Sequence, residues 1–200
     1  SDYGISTPND FLCNATTITG TMGAPWTNCN SNTVVTLTGQ NNYCATITND
    51  LPASLGGIPP TWGSATSGVW YKFKAPKSGK LKIEAKNSFP DYLPPYDEPE
   101  INIEMAVFRI PGGYNGTCDN LSTEKDRLEL VASEFDGLLH DEDFTVDCLM
   151  PDSIYYLLVD GSSNLVCPTC DRGEFYLTLT ADPRDRPSTN DLPCDAIDLG

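Results

Sequence analysis

The stretch Val69-Trp70-Tyr71-Lys72-Phe73-Lys74-Ala75-Pro76-Lys77-Ser78-Gly79-Lys80-Leu81-Lys82-Ile83-Glu84-Ala85-Lys86 decides the fold class. Its first seven residues alternate, with Val69, Tyr71, Phe73 and Ala75 on one side and Trp70, Lys72 and Lys74 on the other. That is the period of a half-buried strand. After a Pro/Ser/Gly turn, Leu81, Ile83 and Ala85 alternate with four charged residues. Two such runs about a short turn predict a β-hairpin with Trp70 and the lysines facing solvent. Outward from it, strand patterns recur at 33–38, 43–48, 101–110, 127–132, 143–149, 154–160 and 174–181, separated by Gly, Pro, Asn and Asp. Only 122–126 reads as a short helical turn. Within 101–110 the apolar phase slips between Met105 and Phe108, as a β-bulge would make it. Nine or so short strands without a helical period predict an all-β fold, an antiparallel β-sandwich of jelly-roll or Greek-key type.

Two stretches do not read as strands. Residues 89–100 hold four prolines together with Asp91, Asp97, Glu98 and Glu100, and 51–67 is rich in Pro, Gly and Ser around Trp62. Both are long for plain connections, so they either carry contacts or cover a sheet edge.

The 200 residues carry 28 Asp+Glu against 12 Lys+Arg, a formal net charge of -16. Nucleic-acid binding draws its affinity from basic side chains that displace counterions, and anionic membrane surfaces ask for the same residues, so both partners are excluded. No apolar run is long enough to span a bilayer, and the N-terminus lacks the basic and apolar regions of a signal peptide, as in a mature or excised chain.

Eight cysteines, Cys13, Cys29, Cys44, Cys118, Cys148, Cys167, Cys170 and Cys194, are scattered through loop-like sequence. An even, dispersed set predicts disulfides and an extracellular location. Zinc would ask for a second close pair or several histidines, and the chain has one CxxC (Cys167, Cys170) and one histidine, His140. That CxxC sits in a hairpin-like loop and does not open a helix after a strand, so it reads as a staple and not as a redox motif.

A repeat joins the two ends of the chain. Asn9-Asp10-Phe11-Leu12-Cys13-Asn14-Ala15-Thr16-Thr17-Ile18 and Asn190-Asp191-Leu192-Pro193-Cys194-Asp195-Ala196-Ile197-Asp198-Leu199 share Asn-Asp-x2-Cys-x-Ala-x2-(Ile/Leu), 181 residues apart. Residues 182–187, Asp-Pro-Arg-Asp-Arg-Pro, have linker composition. The chain therefore divides into a sandwich domain, 1–181, and a segment, 182–200, that is a linker plus the start of a second repeat or a docking strand for a neighbouring copy. The candidate assembly residues are Asn190, Asp191, Leu192, Cys194, Ile197 and Leu199.

The segments at 9–15, Gly68-Val69-Trp70-Tyr71-Lys72-Phe73-Lys74-Ala75-Pro76-Lys77-Ser78-Gly79, Met105-Ala106-Val107-Phe108, 154–161 and 173–179 together resemble the bacterial pre-peptidase C-terminal type of jelly-roll domain, in the cysteine-bearing version found in tandem in large secreted and surface proteins. The resemblance spans most of 9–181 and rests on the order of the motifs. It implies a non-catalytic sandwich serving as spacer, adhesive module or carbohydrate-contacting appendage, at a bacterial cell surface. It also implies a Cys13–Cys44 disulfide, which leaves Cys194 for the corresponding cysteine of the next copy or for Cys29. The insertion at 89–100 and the extra cysteines depart from the pattern.

The chemistry-bearing residues agree with a non-enzyme. His140 has no Gly-x-Ser-x-Gly elbow or His-Glu-x-x-His motif beside it, and no nucleotide-binding glycine motif is present. Acids are too many for a glycosidase pair to be singled out. No cofactor is required. Calcium is the one metal the acids suit, with Asp136, Asp141, Glu142 and Asp143 as one ligand set and the acids of 91–100 as another, neither in EF-hand spacing. Trp26, Trp62, Trp70, Tyr92 and Tyr96 are candidates for a sugar-stacking platform. Asn14, Asn115 and Asn120 stand in glycosylation sequons, and Asp152-Ser153-Ile154 resembles the Asp-Ser/Thr-apolar motif of O-glycosylated bacterial proteins, with Ser153 as acceptor. The expected function is a structural repeat of an extracellular filament, stalk or adhesin, whose partners are copies of itself. The alternative is a carbohydrate-binding module of a larger secreted enzyme, whose partners are glycans or cell surfaces.

Overall fold

The structure, a computed structural model, describes residues 8–19, 34–45, 51–52, 67–87, 101–113, 124–134, 141–162 and 172–181. They contain nine strands: β1 (Thr16–Ile18), β2 (Val34–Asn41), β3 (Val69–Lys74), β4 (Leu81–Asn87), β5 (Ile103–Arg109), β6 (Glu129–Glu134), β7 (Glu142–Val146), β8 (Ile154–Gly161) and β9 (Glu174–Ala181). One sheet has five strands in the order β1-β3-β8-β5-β6 and the other has four in the order β2-β9-β4-β7. The pairs β5·β6, β4·β7, β3·β8 and β2·β9 are antiparallel and nested one inside the next. The chain from β2 to β9 is thus one ribbon folded at β5 and β6 and wound over two sheets, which is a jelly-roll winding. β1 departs from this pattern by pairing parallel to β3.

Two apolar layers hold the sandwich. Val69, Tyr71 and Phe73 of β3, Leu81 and Ile83 of β4, Ile103, Met105 and Val107 of β5, Leu157 of β8 and Leu177 of β9 meet between the sheets. A second cluster lies on the outer face of the five-stranded sheet, where Trp70, Ala106, Phe108, Tyr156 and Leu158 are covered by Leu12, Ala15 and Leu51. Trp70 is therefore fully buried, and its ring centroid lies 5.6 Å from that of Phe108. The solvent-facing Trp70 expected from alternation is corrected: a segment remote in sequence covers it.

β3 and β4 do not form the hairpin their sequence predicts. They belong to different sheets, and residues 75–80 carry the chain across the sandwich. The Gly79 N–H donates to the Pro76 carbonyl at 3.0 Å, and the Leu149 N–H donates to the Gly79 carbonyl at 2.9 Å. Both geometries bury the same alternating residues. In the arch they face one another across the core.

Residues 43–45, expected to start a strand, form a turn closed by the Ala45 N–H on the Asn42 carbonyl; 46–48 lie outside the described residues. The helical turn is a 3-10 turn at Lys125–Arg127. The bulge lies at Val107/Phe108 as expected, but the additional residue is Val131 of β6. β5 keeps its phase, and its residues 103–108 are buried on both faces.

At the end of the sandwich where β3 finishes, Asp152 receives Lys74 at 2.9 Å and Lys77. These two lysines hold its carboxyl below its ordinary 3.8, Lys77 contributing most. A depressed folded-state value stabilises above 3.8, and the contribution is lost as pH falls through the lower folded value. Asp152 has φ 62, which asparagine tolerates. The melting-temperature deficit of Asp152→Asn should therefore be present at pH 7, shrink in high salt, and vanish well below pH 3.8. A deficit independent of pH would refute the ion-pair assignment.

Candidate functional site: the repeated segment on strand β3

The first copy of the repeat begins with Asn9, whose carbonyl accepts the Trp70 N–H at 2.8 Å while its Nδ2 donates to the Trp70 carbonyl at 3.0 Å. One asparagine thus satisfies both backbone groups of Trp70 at the start of β3. A 3-10 turn over Leu12–Asn14 follows, with Asn14 N–H on the Phe11 carbonyl, and it drops Leu12 onto the Trp70 layer. The chain then straightens into β1, in register with Tyr71, Lys72 and Phe73. Ile18 reaches the core between the sheets. Burial pushes the Tyr71 phenol up, against the pull of the Asn9 side chain, and its hydroxyl donates to Gln40 Oε1 of β2 at 3.1 Å.

The positions that recur in the second copy are the ones this docking uses. Asn9, Asp10, Ala15 and Ile18 are buried and Cys13 is half-buried, whereas Phe11, Asn14, Thr16 and Thr17, which differ between the copies, are exposed. Leu12 is the exception, a buried position with proline in the second copy. The docking starts where β3 begins. β9 ends at Ala181, opposite Leu81 and close in sequence pairing to the Gly79 turn, so β9 finishes at the opposite end of the sandwich.

Asn190, Asp191, Leu192, Cys194, Ile197 and Leu199 lie outside the described residues, as do Cys29, Cys118, Cys167, Cys170, Asn115, Asn120, Asp136, His140, Trp26, Trp62, Tyr92, Tyr96 and the acids of 91–100. Cys13 is disulfide-bonded. Cys44 and Cys148 are free and exposed, which corrects the Cys13–Cys44 pairing implied by the resemblance.

Of the acids proposed for calcium, the three described ones, Asp141, Glu142 and Asp143, do not share a site. Asp141 Oδ1 accepts the Asn87 N–H at 2.8 Å, and Asp143 pairs with Lys82 at 3.1 Å. Glu142 between them is buried, on the opposite face of β7. The Asp143 contact, with Glu84 helping, pushes Lys82 above its ordinary value. Among the described residues no group of three or more His, Cys, Asp or Glu converges on a metal-sized site.

The sugar platform loses Trp70 to the core. Among the described residues the exposed large aromatics are Phe11, Tyr43 and Tyr176, on three separate elements. Asn14 is exposed. Ser153 lines an open groove of about 570 Å³ with Arg109, Met150, Ile154 and Tyr155, the tyrosine hydroxyl being taken by the Met150 N–H.

Two features escaped sequence reading. β1 is only three residues long and carries one core side chain. Glu104 and Asp160 are fully buried on opposed positions of β5 and β8; the signal available was a lone acid within each of two apolar runs.

No protein family model matches the chain, and no curated protein matches it. Among solved structures it is similar to CorA, a surface-associated copper-binding protein important in copper acquisition by Methylomicrobium album BG8, at 8% identity and TM-score 0.39 over 74% of this chain and 92% of that one. A likeness at that level carries no argument about function.

Proposed function

We propose that the chain is a non-catalytic repeat of an extracellular bacterial array, a filament, stalk or adhesin, whose modules join head to tail through residues 190–199. The observation that carries this reading is that the repeat's shared positions are those buried when the first copy docks on β3. A segment that shares those residues in sequence asks for the same seat. The chain's own β3 edge already holds residues 9–18, so the second copy fits β3 of another module, whether next in the polypeptide or on a neighbouring subunit. Strand addition of this kind supplies backbone hydrogen bonds along its length. Entry and exit at opposite ends make the contact head to tail, which does not close and so extends into a fibre. The disulfides in such an array, including one from Cys194 to the next module, belong to the same reading, as does the likeness to tandem pre-peptidase C-terminal domains. No helix among the described residues is long and apolar enough to cross a membrane. The charge of -16 per repeat would keep the fibre hydrated while opposing its links.

Electron microscopy of native material should show filaments with a one-domain repeat. Removing residues 188–200 should abolish them while leaving the module's melting temperature within about 2 °C, and non-reducing electrophoresis should show a ladder. Filaments that persist after the truncation, or native material that is monomeric by both methods, would sink the proposal.

A further inference from the structure

Each end of the sandwich carries an exposed, free cysteine. Cys44 lies in the turn that follows β2. That turn is held where β3 begins: Asn42 Nδ2 donates to the Ser67 carbonyl at 3.0 Å, and Arg172 Nη1 donates to the Tyr43 carbonyl at 2.9 Å. Cys148 lies just after β7, next to Leu149, whose N–H is bonded to the Gly79 carbonyl at the end where β3 finishes. β3 is six residues long, so roughly 20 Å of strand separates the two ends. A disulfide brings its Cα atoms within about 7 Å, so Cys44 and Cys148 of one chain cannot pair. Cys13 is bonded to neither of them, and its partner is therefore one of the cysteines outside the described residues. In an extracellular setting two accessible thiols without a partner in their own chain find one on another molecule.

The surroundings of the two thiols are complementary. Two residues after Cys148, Met150 is 60% exposed, and Ile154, on the same groove, is 45% exposed. The groove runs along Arg109 and Tyr155, where β5 ends and β8 begins, which is the Cys148 end of the sandwich. Large apolar side chains left in water at the mouth of a groove mark a contact surface. At the other end the residue before Cys44 is Tyr43, 39% exposed. A tyrosine ring suits a groove lined by a methionine thioether and an arginine, because its face packs against both and its hydroxyl can stay wet.

In the head-to-tail array, the reading on which this inference rests, these two ends face each other. β9 finishes at the Cys148 end, the seat that Asn9 opens lies at the Cys44 end, and residues 182–189, which join the two in successive modules, reach at most about 30 Å. We propose that Tyr43 of each module seats in the groove beside Met150 and Ile154 of the preceding one, and that Cys44 then closes a disulfide with Cys148. Tyr43 is the neighbour of Cys44 and Met150 is two residues from Cys148, so seating the ring brings the sulfurs together. The oxidant is a small-molecule disulfide. The Cys148 thiolate attacks one of its sulfurs and expels a thiolate; the Cys44 thiolate of the next module then attacks the Cys148 sulfur of the mixed disulfide and expels the second. The two electrons lost by the protein thiols reduce the oxidant's S–S bond, and their two protons end on the two thiols released.

The test mixes equal parts of unlabelled and isotope-labelled full chain with oxidised glutathione, alkylates the remaining thiols, and maps disulfide-linked peptides by mass spectrometry, with electron microscopy of the same sample. The peptide holding Cys44 should be recovered joined to the peptide holding Cys148, and about half of that product should pair a light with a heavy partner, as random head-to-tail neighbours do. Met150→Asp should slow the formation of this link by about tenfold or more, the cost of losing a central contact of an interface. The same variant should melt within about 2 °C of wild type, because its side chain faces solvent in the free module. Filaments in which both cysteines are recovered alkylated, or joined to other peptides, would overturn the inference and leave the array standing. A Cys44–Cys148 product without mixed isotopes would place the bond inside one chain and overturn it too, and an unchanged rate in Met150→Asp would remove the groove from the contact. Monomers alone in the microscope would remove the array itself, and the link with it.

Discussion

Trp70→Ala should lower the stability of the domain by about 3–5 kcal/mol, the range for truncating a fully buried large aromatic, and the melting temperature by about 10 °C or more. The loss has two parts. The indole's own burial disappears, and the cavity left behind cannot readily collapse, because Leu12 over it is anchored through Asn9 and the 3-10 turn, and Leu158 and Ala106 beside it belong to paired strands. Trp70→Phe should cost far less, about 1–1.5 kcal/mol. The indole Nε1 has no hydrogen-bond partner, so phenylalanine forfeits no hydrogen bond and relieves an orphaned buried donor. Equilibrium denaturation of the three proteins checks both values. A loss below about 1 kcal/mol for Trp70→Ala would return Trp70 to a solvent-facing position and reopen the sugar platform.

The same residue shows how far the sequence could be read. The alternation in 69–75 places every side chain on its correct face: Val69, Tyr71, Phe73 and Ala75 all point between the sheets. What alternation cannot report is whether the other face is wet. Lys72 and Lys74 next to Trp70 argue for water, yet the far end of that face is covered by residues 12, 15 and 51, a contact set by tertiary structure alone. Strand β5 carries the matching lesson. Apolar residues on both of its faces read as a slipped phase, whereas the strand is regular and simply buried on both sides, with the irregularity displaced onto Val131. In the repeated segment the sequence shows which positions recur, and only the structure of the first copy separates those that dock from those that face solvent. The opposition of Glu104 and Asp160 was not legible, because its register depends on pairing two strands some fifty residues apart.

Gly79→Ala should destabilise the domain by about 3 kcal/mol, whereas Gly39→Ala should cost about 1, and the difference measures the arch. Both glycines have φ near +65°, where an added Cβ is strained whatever the surrounding space. At Gly39 nothing lies within 4 Å of that Cβ, so only the backbone preference is lost. At Gly79 the Cβ would stand 2.7 Å from the Leu149 carbonyl oxygen, a backbone atom. Neither partner is free to move away: the Leu149 N–H is bonded to the Gly79 carbonyl, the Gly79 N–H to the Pro76 carbonyl, and the Leu149 side chain is part of the core. A simple hairpin turn, the reading the sequence invites, would point its glycine at solvent and would make the two substitutions cost the same. The close approach exists because the chain crosses from one sheet to the other at this point and meets the residues that follow β7. Denaturant midpoints of the two variants therefore distinguish arch from hairpin: equal losses at Gly39 and Gly79 would mean that β3 and β4 are neighbours in one sheet, and a loss about 2 kcal/mol larger at Gly79 would place them on opposite sides of the core.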